Sequence, residues 1–172
     1  LGPAEFPVNK SLRQLLSHLC RNPAFATQGQ TIRILAESGR EILSGTLQDL
    51  LVTVSQITPG DVGELRIFWG RIHNVNERDE ALWLNMGNYQ NEPSIIVEDE
   101  LKAELLSYFR LSEAADLSGA DFILVGHCGQ SAQHKHVLRF AFPKYIAFRR
   151  FRVVEKTAID ANTPGESAAS PT

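Results

Sequence analysis

The sequence predicts a mainly β protein, a small barrel built on one hairpin, with a helix between its third and fourth strands. A helix and a β extension precede the barrel. Three observations predict this. Residues 65–88 alternate bulky and spacer positions, through Leu65, Ile67 and Trp69 and then Ile72 and Val75. After the charged turn Glu77-Arg78-Asp79-Glu80 the pattern resumes as Ala81-Leu82-Trp83-Leu84. A period of two with aromatic and β-branched residues is a strand signal. Second, one strand, a helix and two more strands can be laid out after this hairpin. Third, 172 residues with 43% hydrophobic and 22% charged content suit one ordinary globular core.

Taken in order, residues 1–8 read as a linker or cloning remnant, since GPAEF resembles a vector junction. In residues 9–21, Leu12, Leu15, Leu16 and Leu19 recur at helical spacing, and Pro23 stops the helix by restricting Asn22. This helix either packs over the barrel or presents residues 12–19 to a protein partner. TIRILAE and REILSGT flank Ser38-Gly39 and form a second hairpin. Residues 47–57 fit a helical face and a strand equally, and length does not decide between them. Together residues 9–60 make the N-terminal helix and β extension, and residues 61–156 the barrel domain.

Within that domain SIIV is a short strand, and Glu98-Asp99-Glu100 starts a helix, where acids complement the dipole. DFILVG is a buried-type strand. Residues 137–148 form the last strand, with Pro143 at a bulge or an edge because it cannot donate to a ladder. The tail, residues 157–172, lacks aromatics, is rich in Ala, Ser and Pro, and is expected to be disordered.

The formal net charge is −3, so charge distribution matters more than the sum. The two cysteines, Cys20 and Cys128, suggest no disulfide framework and favour a reducing compartment. No apolar run reaches the eighteen or so residues that span a bilayer. An intracellular location is expected, nuclear in a eukaryote and otherwise cytoplasmic, with no membrane partner.

The order strand, strand, strand, helix, strand, strand over roughly residues 62–153 resembles the OB-fold, a five-stranded Greek-key barrel with a helix between strands 3 and 4. In this resemblance Gly70 supplies the sharp bend of a long first strand. The pattern is similar to the single-stranded-DNA-binding barrels of replication protein A and of telomere-capping small subunits. That resemblance implies a role in DNA replication, repair or telomere maintenance. It also implies that strands two and three and the loop between strands four and five touch the ligand.

Three constellations bear on chemistry. Between residues 135 and 156 stand Lys135, Arg139, Lys144, Arg149, Arg150, Arg152 and Lys156 against the single acid Glu155. Phe140, Phe142, Tyr145, Phe148 and Phe151 are interleaved with them. Cations neutralise phosphates and aromatic faces stack bases. Trp69, Arg71, Trp83 and Tyr89 on the central hairpin complete the candidate surface. The competing reading is barrel core with a solvated basic rim, and alternation makes part of it true, because Arg139 and Phe140 face opposite ways.

Second, His127, Cys128, His134 and His136 have metal-ligand types without the spacing of a structural zinc site, and read as the loop between strands four and five. No metal or cofactor is expected. Third, acids outnumber bases by ten to three across residues 77–116. This places a negative face around the helix, away from any phosphate. No phosphate-binding glycine loop is present, and Cys128 and His127, adjacent on a strand, point apart. The expectation is a non-enzymatic protein that binds single-stranded DNA or RNA. The alternative is a protein-interaction subunit that docks partners in a nucleoprotein complex through residues 12–19 or the fifth strand.

Overall fold

A computed structural model of the protein describes residues 4–87, 92–132 and 135–149, with side chains from residue 12 onward. Along the chain these form β1 (Ala4–Pro7), α1 (Val8–Arg21), β2 (Thr31–Leu35), β3 (Glu41–Thr46), α2 (Leu47–Leu50) and β4 (Leu51–Thr53). Next come β5 (Leu65–Arg71), β6 (Asn74–Arg78), β7 (Ala81–Asn85), β8 (Ser94–Glu98) and α3 (Asp99–Tyr108). The last are β9 (Asp121–Gln130), β10 (His136–Arg139) and β11 (Ile146–Arg149).

β5 and β6 are the two halves of one bent strand. The bend lies at Ile72 and His73, where the backbone changes partner. Ile72 N–H donates to Ala120 O at 2.8 Å, and the next amide, His73 N–H, donates to Asn85 O at 2.7 Å. The first half therefore pairs with β9 and the second with β7. Counting β5–β6 as strand one, the hydrogen-bonded path β5-β9-β10-β8-β7-β6 reads 1-4-5-3-2-1. That ring, with α3 between strands three and four, is the OB-fold barrel. Gly70 is not its bend. A Cβ there would stand 2.4 Å from Val54 Cγ2, so the glycine is required to let Val54 press onto the sheet.

β6 and β7 are joined through Asp79 and Glu80 alone, with Arg78 opposite Ala81. Both turn residues have positive φ, 53° and 57°, the geometry of a two-residue type I′ hairpin. The turn is thus two residues, not the four charged ones. That fixes the register. Leu82, Leu84, Ile95, Val97, Phe68, Phe122, Leu124 and Leu138 fill the barrel, and Leu105 of α3 closes one end. Each such side chain contributes about 1.5–3 kcal/mol by leaving water.

β9 is buried on both faces, which explains its nearly unbroken apolar run. Phe122 and Leu124 point into the barrel, while Ile123 and Val125 join a second core outside it. That core is built from Leu12, Leu16 and Leu19 of α1, Ile32 and Ile34 of β2, and Ile67 of β5. The leucine face of α1 is therefore occupied by this chain's own wall and is not presented to a partner. β2 and β3 form the expected hairpin. Ala4–Pro7, expected to lie outside the fold, pairs parallel with β2.

The ambiguous stretch divides between its two readings. Leu47–Leu50 makes one helical turn, capped by Thr46 Oγ1 accepting from Asp49 N–H at 3.2 Å, and Leu51–Thr53 continues as a strand parallel to β5. The expected last strand is also two pieces. β10 and β11 pair in succession along one edge of β9, and Pro143 sits in the helical turn between them, out of the ladder. The tail, residues 157–172, lies outside the described residues. Among the described residues no helix is long and apolar enough to cross a membrane.

Candidate nucleic-acid interface

Strand alternation and the two-residue turn determine what the outer wall of β6, β7, β8 and β10 displays. Asn76 pairs with Trp83, and Trp83 with Ile96. Arg139 comes beside Ile96, one step past the Leu138–Ile95 pair. Asn76, Trp83, Ile96 and Arg139 thus form one row across the wall. On one side of it runs a neutral row, in which Asn85 Nδ2 donates to Asn74 Oδ1 at 2.8 Å and Ser94 Oγ donates to Asn85 Oδ1 at 2.5 Å. On the other side lies the row of Arg78, Ala81 and Glu98.

Trp83 is the centre of this wall. Ala81, Ile96 and Val137 form an apolar floor with it. The Arg78 guanidinium carbon lies 4.0 Å from its ring centroid and Lys135 Nζ 5.8 Å. Both are cation–π contacts, in which the negative ring face attracts a cation. The indole N–H is buried and finds no acceptor among the described residues. Burial and the neighbouring charge of Arg78 hold the Lys135 amine below the ordinary lysine range, with Glu92 opposing them. Lys135 and Arg139 have no carboxylate within ion-pair distance among the described residues.

An open groove of about 960 Å³ runs over this wall and on toward the start of α3. Trp83, Ile96, Val137 and Arg139 line one part of it. Asp79, Glu80, Glu98, Asp99, Glu100 and Glu104 line the other. The acidic run is therefore not remote from the candidate surface but forms one rim of it.

The remaining candidates are dispersed. Trp69 faces the second core, its indole N–H donating to Thr53 Oγ1 at 3.1 Å, so the N-terminal extension covers it. Arg71 Nε donates to Asp121 Oδ1 at 2.9 Å, which raises the guanidinium pKa. Lys144 Nζ donates to Glu37 Oε1 at 2.8 Å, with the same consequence for its amine. Arg149 is engaged with the Cys20 thiol. Tyr145 packs between the two cores, Phe140 is buried in the barrel, and Phe148 meets Phe109 edge-on at 5.0 Å. Phe142 is exposed. Tyr89, His134, Arg150, Phe151, Arg152 and Lys156 lie outside the described residues. Of the described candidates, Trp83, Lys135 and Arg139 come together, and Trp69, Arg71, Lys144, Tyr145 and Arg149 do not.

His127 and Cys128 belong to β9 rather than to the following loop, with His127 exposed and the Cys128 thiol turned into the barrel. Among the described residues no group of three metal-ligating side chains converges. Sequence reasoning missed Arg78 and Asn76. Placing the turn at Asp79 and Glu80, instead of treating four charged residues as one loop, puts both on the face of Trp83.

No family model and no curated protein sequence matches the chain. Among solved structures, it is similar to a Leishmania major Friedlin protein assigned as an aspartyl-tRNA synthetase, at 11% identity and a TM-score of 0.38. The match covers 57% of this chain and 20% of the other, so the chain spans about a fifth of that protein. It is also similar to OBody AM3L09 bound to hen egg-white lysozyme, at 12% identity and TM-score 0.39, covering 56% and 92%. OBody AM1L10, bound to the same lysozyme, aligns at 15% identity and TM-score 0.38, covering 58% and 90%. Likenesses this distant carry no functional weight, and the barrel is assigned from its own strand order.

Proposed function

We propose that the protein is a non-catalytic binder of single-stranded nucleic acid, using the outer wall of β7, β8 and β10. One observation carries this reading: Trp83, flanked by Arg78, Lys135 and Arg139, on the wall that OB-folds use for oligonucleotides. Base stacking on an aromatic ring is worth about 1–3 kcal/mol and tolerates any sequence. The Arg78 guanidinium over the indole extends the stacking surface, since bases also stack on arginine planes. Lys135 and Arg139 form no ion pair among the described residues and supply the phosphate contacts. A role in replication, repair or telomere maintenance is the finer form of the same proposal and rests on element order alone.

The test is fluorescence titration with oligothymidylate and oligouridylate. Lys135→Glu with Arg139→Glu should reduce affinity at least tenfold, whereas Arg71→Glu should leave it nearly unchanged. Unaltered affinity in the first variant refutes the assignment of the wall.

A second reading is favoured by the acidic rim of Asp79, Glu80, Glu98, Asp99, Glu100 and Glu104. In it the barrel docks a basic protein segment and binds no nucleic acid. Failure of every oligonucleotide to bind selects it over the first.

A further inference from the structure

We infer that the site takes a short stretch of nucleic acid, about four nucleotides or fewer and thus the low end of the OB-fold range, lying across the strands. This deepens the nucleic-acid reading above and rests on it. The geometry behind it is the separation of charge along the strand direction. The Trp83 row holds Trp83 and Arg139, and the charged ends of Arg78 and Lys135 reach the ring from neighbouring rows. Two residues further along β7 and β8 come Ala81 and Glu98, and two residues of strand span about 6.7 Å. The carboxylates of Glu98, Asp99 and Glu100 therefore begin within one Debye length, about 8 Å at physiological salt, of any phosphate seated at that row. A strand continued over α3 would place successive phosphates against them.

Across the strands the situation differs. From β6 to β10 there are three spacings of about 4.8 Å, or roughly 14 Å of wall without a carboxylate in the Trp83 row. On the far side, Asn74, Asn85 and Ser94 satisfy one another and offer no added charge. The charges of Arg78 and Lys135 thus converge on the Trp83 ring from the rows on either side, and among the described residues nucleotides beyond that ring and Arg139 gain no ion contact on this wall.

The test uses oligothymidylates of 4, 8 and 20 nucleotides, read by Trp83 emission with Trp69→Phe as the background. Two or three neutralised phosphates give a logarithmic salt slope of about −1.4 to −2.1. A fourfold rise in salt should then weaken binding by about sevenfold to twentyfold at every length. Affinity per available register should not grow with length. A slope that steepens with length, with more than about a hundredfold loss for the 20-mer, overturns the inference while leaving nucleic-acid binding intact. Absence of binding at all lengths refutes the nucleic-acid reading itself.

Removing the acids is the complementary arm. Glu98→Gln with Asp99→Asn and Glu100→Gln should make the 20-mer bind at least fivefold more tightly than the 4-mer per register. Asp79→Asn with Glu80→Gly removes two more rim charges and supplies the preferred two-residue turn, so folding is not at risk. If both variants show the same length dependence as the parent, the rim does not set the footprint.

Discussion

Gly126 is where the barrel has least room, and Gly126→Ala tests how its fourth and fifth strands close. β10 leaves the β9 ladder after Arg139 pairs with His127, and the Arg139 carbonyl crosses directly over Gly126. A Cβ at residue 126 would lie 2.1 Å from that oxygen, 3.0 Å from Leu124 Cδ1 and 3.1 Å from the Arg139 carbonyl carbon. Contacts under 3.0 Å are essentially never seen, so backbone must move by at least 3.0 − 2.1 = 0.9 Å. A side chain can rotate out of such a clash, but a backbone carbonyl at the end of the β9–β10 ladder cannot.

Overpacking costs about 1–3 kcal/mol, and two ladder bonds stretched beyond hydrogen-bonding range add about 0.5–1.5 kcal/mol each. The expected loss is about 4 kcal/mol, or a fall in Tm of about 8–16 °C for a chain of this size. Reversible urea unfolding followed by circular dichroism measures it, with m unchanged. Gly29→Ala is the control, because a Cβ there meets nothing within 4 Å and the cost should stay within about 0.5 kcal/mol. A loss below about 1 kcal/mol for Gly126→Ala refutes the closure described here.

Three further outcomes follow from the same geometry. Gly70→Ala drives a methyl against Val54 Cγ2 and should cost about 1–3 kcal/mol, much of it recovered when Val54→Ala is added; additive losses in the double mutant would contradict the packing. Lys135 has a depressed pKa, so its contribution to stability is present above the ordinary lysine pKa and lost as pH falls through the folded value. At neutral pH, Lys135→Met should therefore raise Tm while weakening oligonucleotide binding, and a lowered Tm would show that the amine is stabilising. Burial pushes both cysteine thiols up, so the unfolded chain ionises first as pH rises. Stability should decline above about pH 9, and Cys128 should react with a thiol reagent only at the rate of unfolding.

The barrel was legible because its signals are local. Alternation through Leu82 and Leu84, the acidic start of α3 and the apolar run of β9 each depend on near neighbours in sequence. The partner of Trp69 was not legible, since the strand that covers it begins at Leu51 and reads equally as helix. The basic cluster misled for a related reason. Lys144 and Glu37 are 107 residues apart, and Arg71 and Asp121 are 50 apart, so their pairing depends on the completed fold. Lys135 and Arg139 remain candidates because neither is ion-paired among the described residues. For Trp83, one residue of turn length decided everything: with Arg78 opposite Ala81 it faces outward, and a slip of one would bury it.

α1 packs on β9 and on β11, the last described strand, although it is synthesised well before either. At about 5–20 residues per second, the 125 residues between Arg21 and Ile146 take roughly 6–25 seconds to synthesise. Throughout that interval Leu12, Leu16 and Leu19 have no finished wall to cover. While the barrel is being made the nascent chain therefore carries a sticky amphipathic helix, and its yield in cells should respond to chaperones that hold such helices.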